Sequence, residues 1–98
     1  MNIVTIKGDT LTFTETITTN GSSVDLTSAS LVITTYSNGV LLNTKTITSF
    51  TQNRASVIFT SAETALWPVS TIECKSRLTL GNGKVHSDIV RYIECNEF

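Results

Sequence analysis

Thr71-Ile-Glu-Cys-Lys-Ser-Arg-Leu-Thr-Leu80, Gly81-Asn-Gly-Lys84 and Val85-His-Ser-Asp-Ile-Val-Arg-Tyr-Ile-Glu-Cys95 together form the stretch that decides the fold. Two alternating runs flank an Asn-Gly pair, the strongest short-range signal for a β-hairpin, because both residues tolerate the positive φ of a two-residue type I′ turn. With that turn at Asn82-Gly83, Leu80 faces Val85, Ser76 faces Ile89 and Ile72 faces Ile93 on one side of the ribbon. Thr79 then meets His86, and Arg77 meets Asp88, on the other. The first side is mostly apolar and the second pairs opposite charges, as expected of an antiparallel sheet with one buried face.

The same register bears on the two cysteines. Cys74 lies opposite Arg91, so four residues of strand, about 13 Å, separate it from Cys95, well beyond the reach of a disulfide. Trp67 precedes both cysteines instead of falling between them as in antibody domains. Two free thiols are therefore expected, with Cys74 serving as a small core hydrophobe.

Upstream, the chain reads as further short strands. Ile3 to Ile6 is a short edge strand, ended by Gly8-Asp9. From Leu11 to Thr19 apolar residues at Leu11, Phe13 and Ile17 alternate with threonines, a period of two that favours strand over helix. Glu15 falls on the inward parity, and a bulge or a solvated sheet end would relieve that conflict. Asn20-Gly21-Ser22-Ser23 is a turn, and Val24 to Ala29 is a structured corner with Leu26 plugging the core.

Ser30 to Tyr36 carries apolar residues on both parities, the mark of a central strand covered on both sides or at an interface. Ser37-Asn38-Gly39 turns it into Val40 to Thr48. Beyond the polar loop at Thr51 to Arg54, Ala55, Val57 and Phe59 point inward from another strand. Ser61 to Leu66 is the one helical candidate, capped by Thr60 or Ser61, favoured by Glu63 and stopped by Pro68. Leu66 and Trp67 are then expected to drop onto the open end of the core. About seven short strands with turns between them, plus one helical turn near 61–66, indicate an all-β, immunoglobulin-like antiparallel β-sandwich.

Length and composition agree with one domain spanning 1–98, large enough to bury about two thirds of its unfolded surface without staples. A formal net charge of −1 with scattered Lys and Arg leaves no basic stripe for a phosphate backbone, so nucleic acid is disfavoured as a partner. Charged residues make up 15% of the chain against about 25% in an ordinary domain. Threonine and serine take their place, a surface suited to packing against other protein copies. Neither a secretory signal pattern nor a membrane-length apolar run is visible, which predicts a soluble product of the cytoplasm.

No catalytic constellation emerges. Strand alternation puts His86 and Asp88 on one face and Ser87 on the other, which separates nucleophile from base. In this register Cys74 also lies on the face opposite His86. A lone imidazole in a cleft beside a hydroxyl or a metal would contradict that reading. One histidine and two separated cysteines cannot complete a tetrahedral zinc site. The carboxylates Asp9, Glu15, Asp25, Glu63, Glu73, Asp88, Glu94 and Glu97 are dispersed over different elements, and no helix follows Gly81-Asn-Gly83 to cradle a phosphate. No enzyme activity, cofactor or metal is expected. The possible contact residues are the aromatics Trp67, Tyr36 and Tyr92, which could stack on sugars or anchor a protein partner. Against this stands the plainer reading that Trp67 caps the core and the tyrosines are partly buried strand residues.

The order of cues resembles a group of small immunoglobulin-like domains of tailed bacteriophages, found in baseplate and tail-fibre proteins and including the N-terminal domain of baseplate upper proteins. The features that carry the resemblance are Lys7-Gly8-Asp9-Thr10 before a Thr-rich strand, Asn20-Gly21 then Val24-Asp25-Leu26-Thr27-Ser28-Ala29, Ala65-Leu66-Trp67-Pro68, and Gly81-Asn82-Gly83-Lys84-Val85. Val69-Ser70 departs from the glycine usual after that proline. The resemblance implies a virion structural or attachment module, assembled in the host cytoplasm and acting by protein–protein docking to other virion proteins, with a homo-oligomer in the particle. A carbohydrate- or receptor-binding module is the alternative. A bacterial surface adhesin repeat would need a secretion signal or tandem copies, and neither is visible.

Overall fold

Strand β8 (Thr71–Thr79) is the longest element among the described residues, and its inward residues Ile72, Cys74, Ser76 and Leu78 are all buried. In this computed structural model, which describes residues 2–19, 22–23, 25–87 and 91–98, β8 is hydrogen-bonded on both flanks. On one side lies β5 (Ser30–Ser37), paired antiparallel from Ser30 opposite Thr79 to Tyr36 opposite Glu73. On the other lie β9 (Val85–Ser87) and β10 (Arg91–Asn96). β6 (Val40–Ile47) extends the sheet beyond β5, and β1 (Asn2–Ile6) adds to β10 in parallel, so both become its edges.

A second, two-stranded sheet of β2 (Leu11–Thr16) and β7 (Arg54–Phe59) covers the inner face. Two-residue strands β3 (Thr18–Thr19) and β4 (Ser22–Ser23) form a small ribbon beside it. Among the described residues, seven strands, namely β1, β2, β5, β6, β7, β8 and β10, have five residues or more. Between the sheets lie the fully buried Phe59, Ile33, Ile72, Ile93 and Val57. Inward Ala55, Val57 and Phe59 arise from strict alternation along β7, as the sequence indicates.

The single helical turn α1 (Ser61–Thr64) begins with a capping box. Thr60 Oγ1 accepts from the Glu63 amide at 3.2 Å, and Glu63 Oε1 accepts from the Thr60 amide at 2.9 Å, which satisfies two otherwise orphaned donors. Buried Thr64 then ties this turn to the β1–β2 corner: its hydroxyl accepts from Gly8 N at 3.1 Å and donates to Asp9 O at 2.7 Å. The helix ends earlier than the expected Leu66, and Leu66 is 83% exposed instead of plugging the core. Trp67 does enter the core, at 1% exposure. Its ring meets Phe59 edge-on at 5.1 Å, and its indole N–H donates to Asn43 Oδ1 at 2.5 Å.

Two further expectations are corrected. The closing hairpin turns through three residues, with Leu80 N donating to Lys84 O and Gly83 N donating to Leu80 O. Gly83 alone has positive φ there (89°), whereas Asn38 and Gly39, at 49° and 80°, form the two-residue turn with both central residues positive. A three-residue loop with a closing left-handed glycine is the next commonest hairpin solution. It suits Gly81, where a Cβ would sit 2.7 Å from Thr27 O. The pairing near the turn is therefore offset by one residue, with Thr79 opposite Val85 and Leu78 opposite His86. The expected register returns at Cys74 opposite Arg91 and Ile72 opposite Ile93. Three steps from Cys74 to Arg77 are matched by four from Ser87 to Arg91. The expected partners Asp88 and Ile89, like the turn residues Asn20 and Gly21 and the corner residue Val24, lie outside the described residues.

The second correction concerns Glu15. No bulge or solvated end accommodates it: β2 pairs regularly through Glu15 opposite Ala55, and the side chain is buried. The charge is met instead from the opposite sheet by Arg91 Nη2 at 2.8 Å, and the guanidinium also lies 5.8 Å above the Phe13 ring. β5 is flanked by strands on both sides, and the second layer covers its Leu31, Ile33, Thr35 and Ser37 face.

Replacing Gly83 by valine is expected to lower stability by about 1–3 kcal/mol, the strain of a β-branched residue held at positive φ. The readout is chemical denaturation, and an unchanged midpoint would place the turn elsewhere.

Candidate functional site

The face of the large sheet that points away from β2 and β7 collects the side chains left free by the core. Alternation along β8 turns Thr71, Glu73, Lys75 and Arg77 outward, and register brings the neighbours alongside. Leu41, Tyr36, Glu73 and Tyr92 form one row across β6, β5, β8 and β10. Val4 and Glu94 lie one row away, beside Thr71. On the other side of that row stand Thr34 with Lys75, then Val32 with Arg77 and Ser87.

Tyr36 is half-buried beneath the Lys75 ammonium, 5.1 Å from its ring centre, and Lys75 also pairs with Glu73 at 3.4 Å. Tyr92 is 47% exposed, and Leu41 and Val4 are exposed as well. A groove of about 490 Å³ runs between β5 and β8, lined by Val32, Thr34, Tyr36, Lys75, Arg77 and Ser87. Of the three aromatics picked out by sequence, Tyr36 and Tyr92 thus flank one carboxylate on a common surface. Trp67 is on the other side of the sheet, inside the core, with its polar atom already bonded.

The edges of this sheet differ. β6 carries an extra residue, Leu42, between the pairs Thr35–Asn43 and Tyr36–Leu41, and it points Lys45 inward. Lys45 meets Glu63 at 2.5 Å and lies 5.5 Å from the Phe59 ring centre. Burial raises the Glu63 pKa, but the Lys45 charge and the Thr60 hydrogen bonds outweigh it and hold the carboxyl below its ordinary range. A bulge and an inward charge are two devices that discourage strand addition at an edge.

A second depression, of about 580 Å³, lies at the hairpin end, where Gly81 closes against the Thr27–Ser28 corner. The one-residue offset near the turn turns His86 toward this depression and onto the inward parity of β8, not the outward parity that the expected register assigned. His86 shares it with Thr27, Ser28, Asp25 and Lys84. Asp25 accepts from the Thr27 amide at 3.0 Å, a bond that holds its carboxyl below the ordinary range. The depression is open to solvent, and among the described residues no hydrogen bond joins the imidazole to the Thr27 or Ser28 hydroxyl, so the ring shares a wall with them without a nucleophile–base contact. Asp25 is committed to the corner's own backbone instead of orienting the ring.

Both cysteines are free and buried. Burial, reinforced by the Glu15 carboxylate and opposed by Arg91, pushes the Cys74 thiol up to about 11, the direction that makes a thiol unreactive. Burial raises Cys95 too. Among the described residues no three His, Cys, Asp or Glu side chains gather to hold a metal ion.

No protein family and no curated protein matches the chain by sequence. Solved structures do match. The N-terminal domain of phage TP901-1 ORF48 superposes with TM-score 0.65 at 13% identity, covering 96% of this chain and 83% of that one. The fibronectin(III)-like modules of Clostridium thermocellum CbhA give 0.55 at 14% identity, covering 97% and 86%. A 1.5-MDa bacterial ice-binding adhesin gives 0.53 at 17% identity over 97% of this chain, which spans only 28% of the adhesin chain. The fold is an immunoglobulin-like β-sandwich.

Alanine at Tyr92 is expected to leave the melting temperature within about 2 °C of wild type, because surface substitutions change stability little. Alanine at Trp67 is expected to remove about 3–5 kcal/mol by emptying the core. Thermal unfolding of both variants checks this, and a costly Tyr92→Ala would mean that the ring is structural.

Proposed function

We propose that the chain is a non-enzymatic structural or attachment module of a tailed-phage virion, in the tail, baseplate or a fibre, that works by protein–protein docking. The observation that carries the reading is the outward face of the large sheet. There Leu41, Tyr36, Tyr92 and Val4 present apolar and aromatic surface among the charged side chains Glu73, Glu94, Lys75 and Arg77. Exposed aromatic residues are enriched at interface centres. The likeness to a phage domain over nearly the whole chain supports the phage setting. Free thiols suit a protein assembled in a reducing cytoplasm.

The carbohydrate- or receptor-binding alternative loses its strongest platform with Trp67 in the core, and retains only the two tyrosines. Both readings place the working surface on the same face, so one experiment separates them. Antibody against the chain should label purified particles of the phage that encodes it, and a glycan array should stay blank. A coding locus outside any phage gene cluster, or unlabelled particles together with glycan binding abolished by Tyr92→Ala, would contradict the virion reading.

A further inference from the structure

The charges on the outward face are segregated along the strand direction. Among the described residues, the acidic side chains Glu73 and Glu94 lie toward the β8 N-terminus and the basic side chains Lys75 and Arg77 toward its C-terminus. The face is thus neutral overall and polar end to end. Between and beside these charges lie Tyr36, Val32, Tyr92, Leu41 and threonines, with the groove between β5 and β8 running through the basic half.

From this pattern we infer that the face docks on the same face of a second copy, about a two-fold axis that runs across the strands. Two sheets stacked face to face about such an axis keep β8 over β8 but reverse its direction. The acidic half of each copy then lies over the basic half of the other, so Glu73 and Glu94 meet Lys75 and Arg77 twice. A two-fold axis along the strands would instead stack acid on acid and base on base, and that arrangement is opposed by like charge. Aligned sheets pack about 10 Å apart with their strands within about 30° of one another, which brings the tyrosine row of one copy onto the Val32 and Thr34 side of the other. An isologous contact of this kind closes at two copies and leaves no surface to propagate.

Size sets the strength. Four strand spacings of about 4.8 Å and three row spacings of about 6.6 Å give a flat footprint of roughly 400 Å² per copy. That falls short of the ~800 Å² per partner of a standard interface. The free chain should therefore dimerise weakly and in a concentration-dependent way. This inference deepens the docking reading, since it rests on that face being the contact surface, but it does not need the virion setting.

The experiment is sedimentation equilibrium of the chain from about 10 µM to about 1 mM, with two charge-reversed variants. One carries Glu73→Lys and Glu94→Lys, the other Lys75→Glu and Arg77→Glu. All four positions are on the surface, and unchanged melting temperatures and circular dichroism would verify folding. Tyr92→Ala is a second, uncharged probe of the same face. Wild type should reach a monomer–dimer equilibrium, each reversed variant should associate at least about tenfold more weakly, and an equimolar mixture of the two should recover a heterodimer. A wild type that stays monomeric at 1 mM, variants that dimerise as wild type does, or a mixture that fails to associate would each overturn the inference. A dimer without particle labelling would remove the virion reading and leave this one standing, and labelled particles with a strictly monomeric chain would do the reverse.

Discussion

Backbone hydrogen bonding to both flanks of β8 is the constraint on which the rest of the molecule depends. A strand paired on both edges has only two faces left, and along Thr71–Thr79 the alternation assigns one to the core and one to the surface. Cys74 and Leu78 on the inner face, with Ile72 beneath Ile93, set the position of β10 and hence of β1. Glu73, Lys75 and Arg77 on the outer face set the charge pattern of the surface. One nine-residue segment thus determines both what holds the sheet together and what it presents.

The small sheet is secured to the large one by unlike means at different places. Trp67 wedges edge-on against Phe59, with its one polar atom satisfied by Asn43. Asn43 Oδ1 also accepts the Thr35 hydroxyl at 3.1 Å, so a single side chain holds both the wedge and the β5–β6 pairing. Elsewhere Glu15 reaches across to Arg91. A buried ion pair adds little net stability over an apolar pair, but loss of one partner is costly, so it acts chiefly to define how the sheets register.

What could be read from sequence was local, and what could not was long-range or depended on one residue of loop length. Alternation located β2, β7, β8 and β10, and Pro68 with Glu63 located the helical turn. The Asn-Gly signal occurs three times, at Asn20-Gly21, Asn38-Gly39 and Asn82-Gly83, and nothing local says which pair forms a two-residue turn. Asn38-Gly39 does so, whereas Asn82-Gly83 is absorbed into a three-residue loop because Gly81 is pressed against Thr27. That single residue reverses the parity of His86, yet Cys74 still meets Arg91 because the returning strand has one residue more than β8 between the two pairings. Leu66 stays outside the core because α1 makes one turn, not two. The ion pair of Glu15 joins strands 76 positions apart in sequence, and no spacing rule points to it. Of the candidate contacts, Tyr36 and Tyr92 were legible as a pair only through the β8 register, while the choice between lid and ligand platform for Trp67 needed its surroundings.

Function follows from which face is left over. Among the described residues the buried thiols, the dispersed carboxylates and the histidine at the hairpin end do not converge on one site, while the outward sheet face combines rings, aliphatics and ordered charge. Native-state amide hydrogen exchange, followed residue by residue, tests the central role of β8 most directly. The inward-paired amides of β8 and β5, from Ile72 to Leu78 and Leu31 to Thr35, should be the slowest to exchange in the chain, opening only with global unfolding. Protection there no greater than in the edge strand β6 would contradict it.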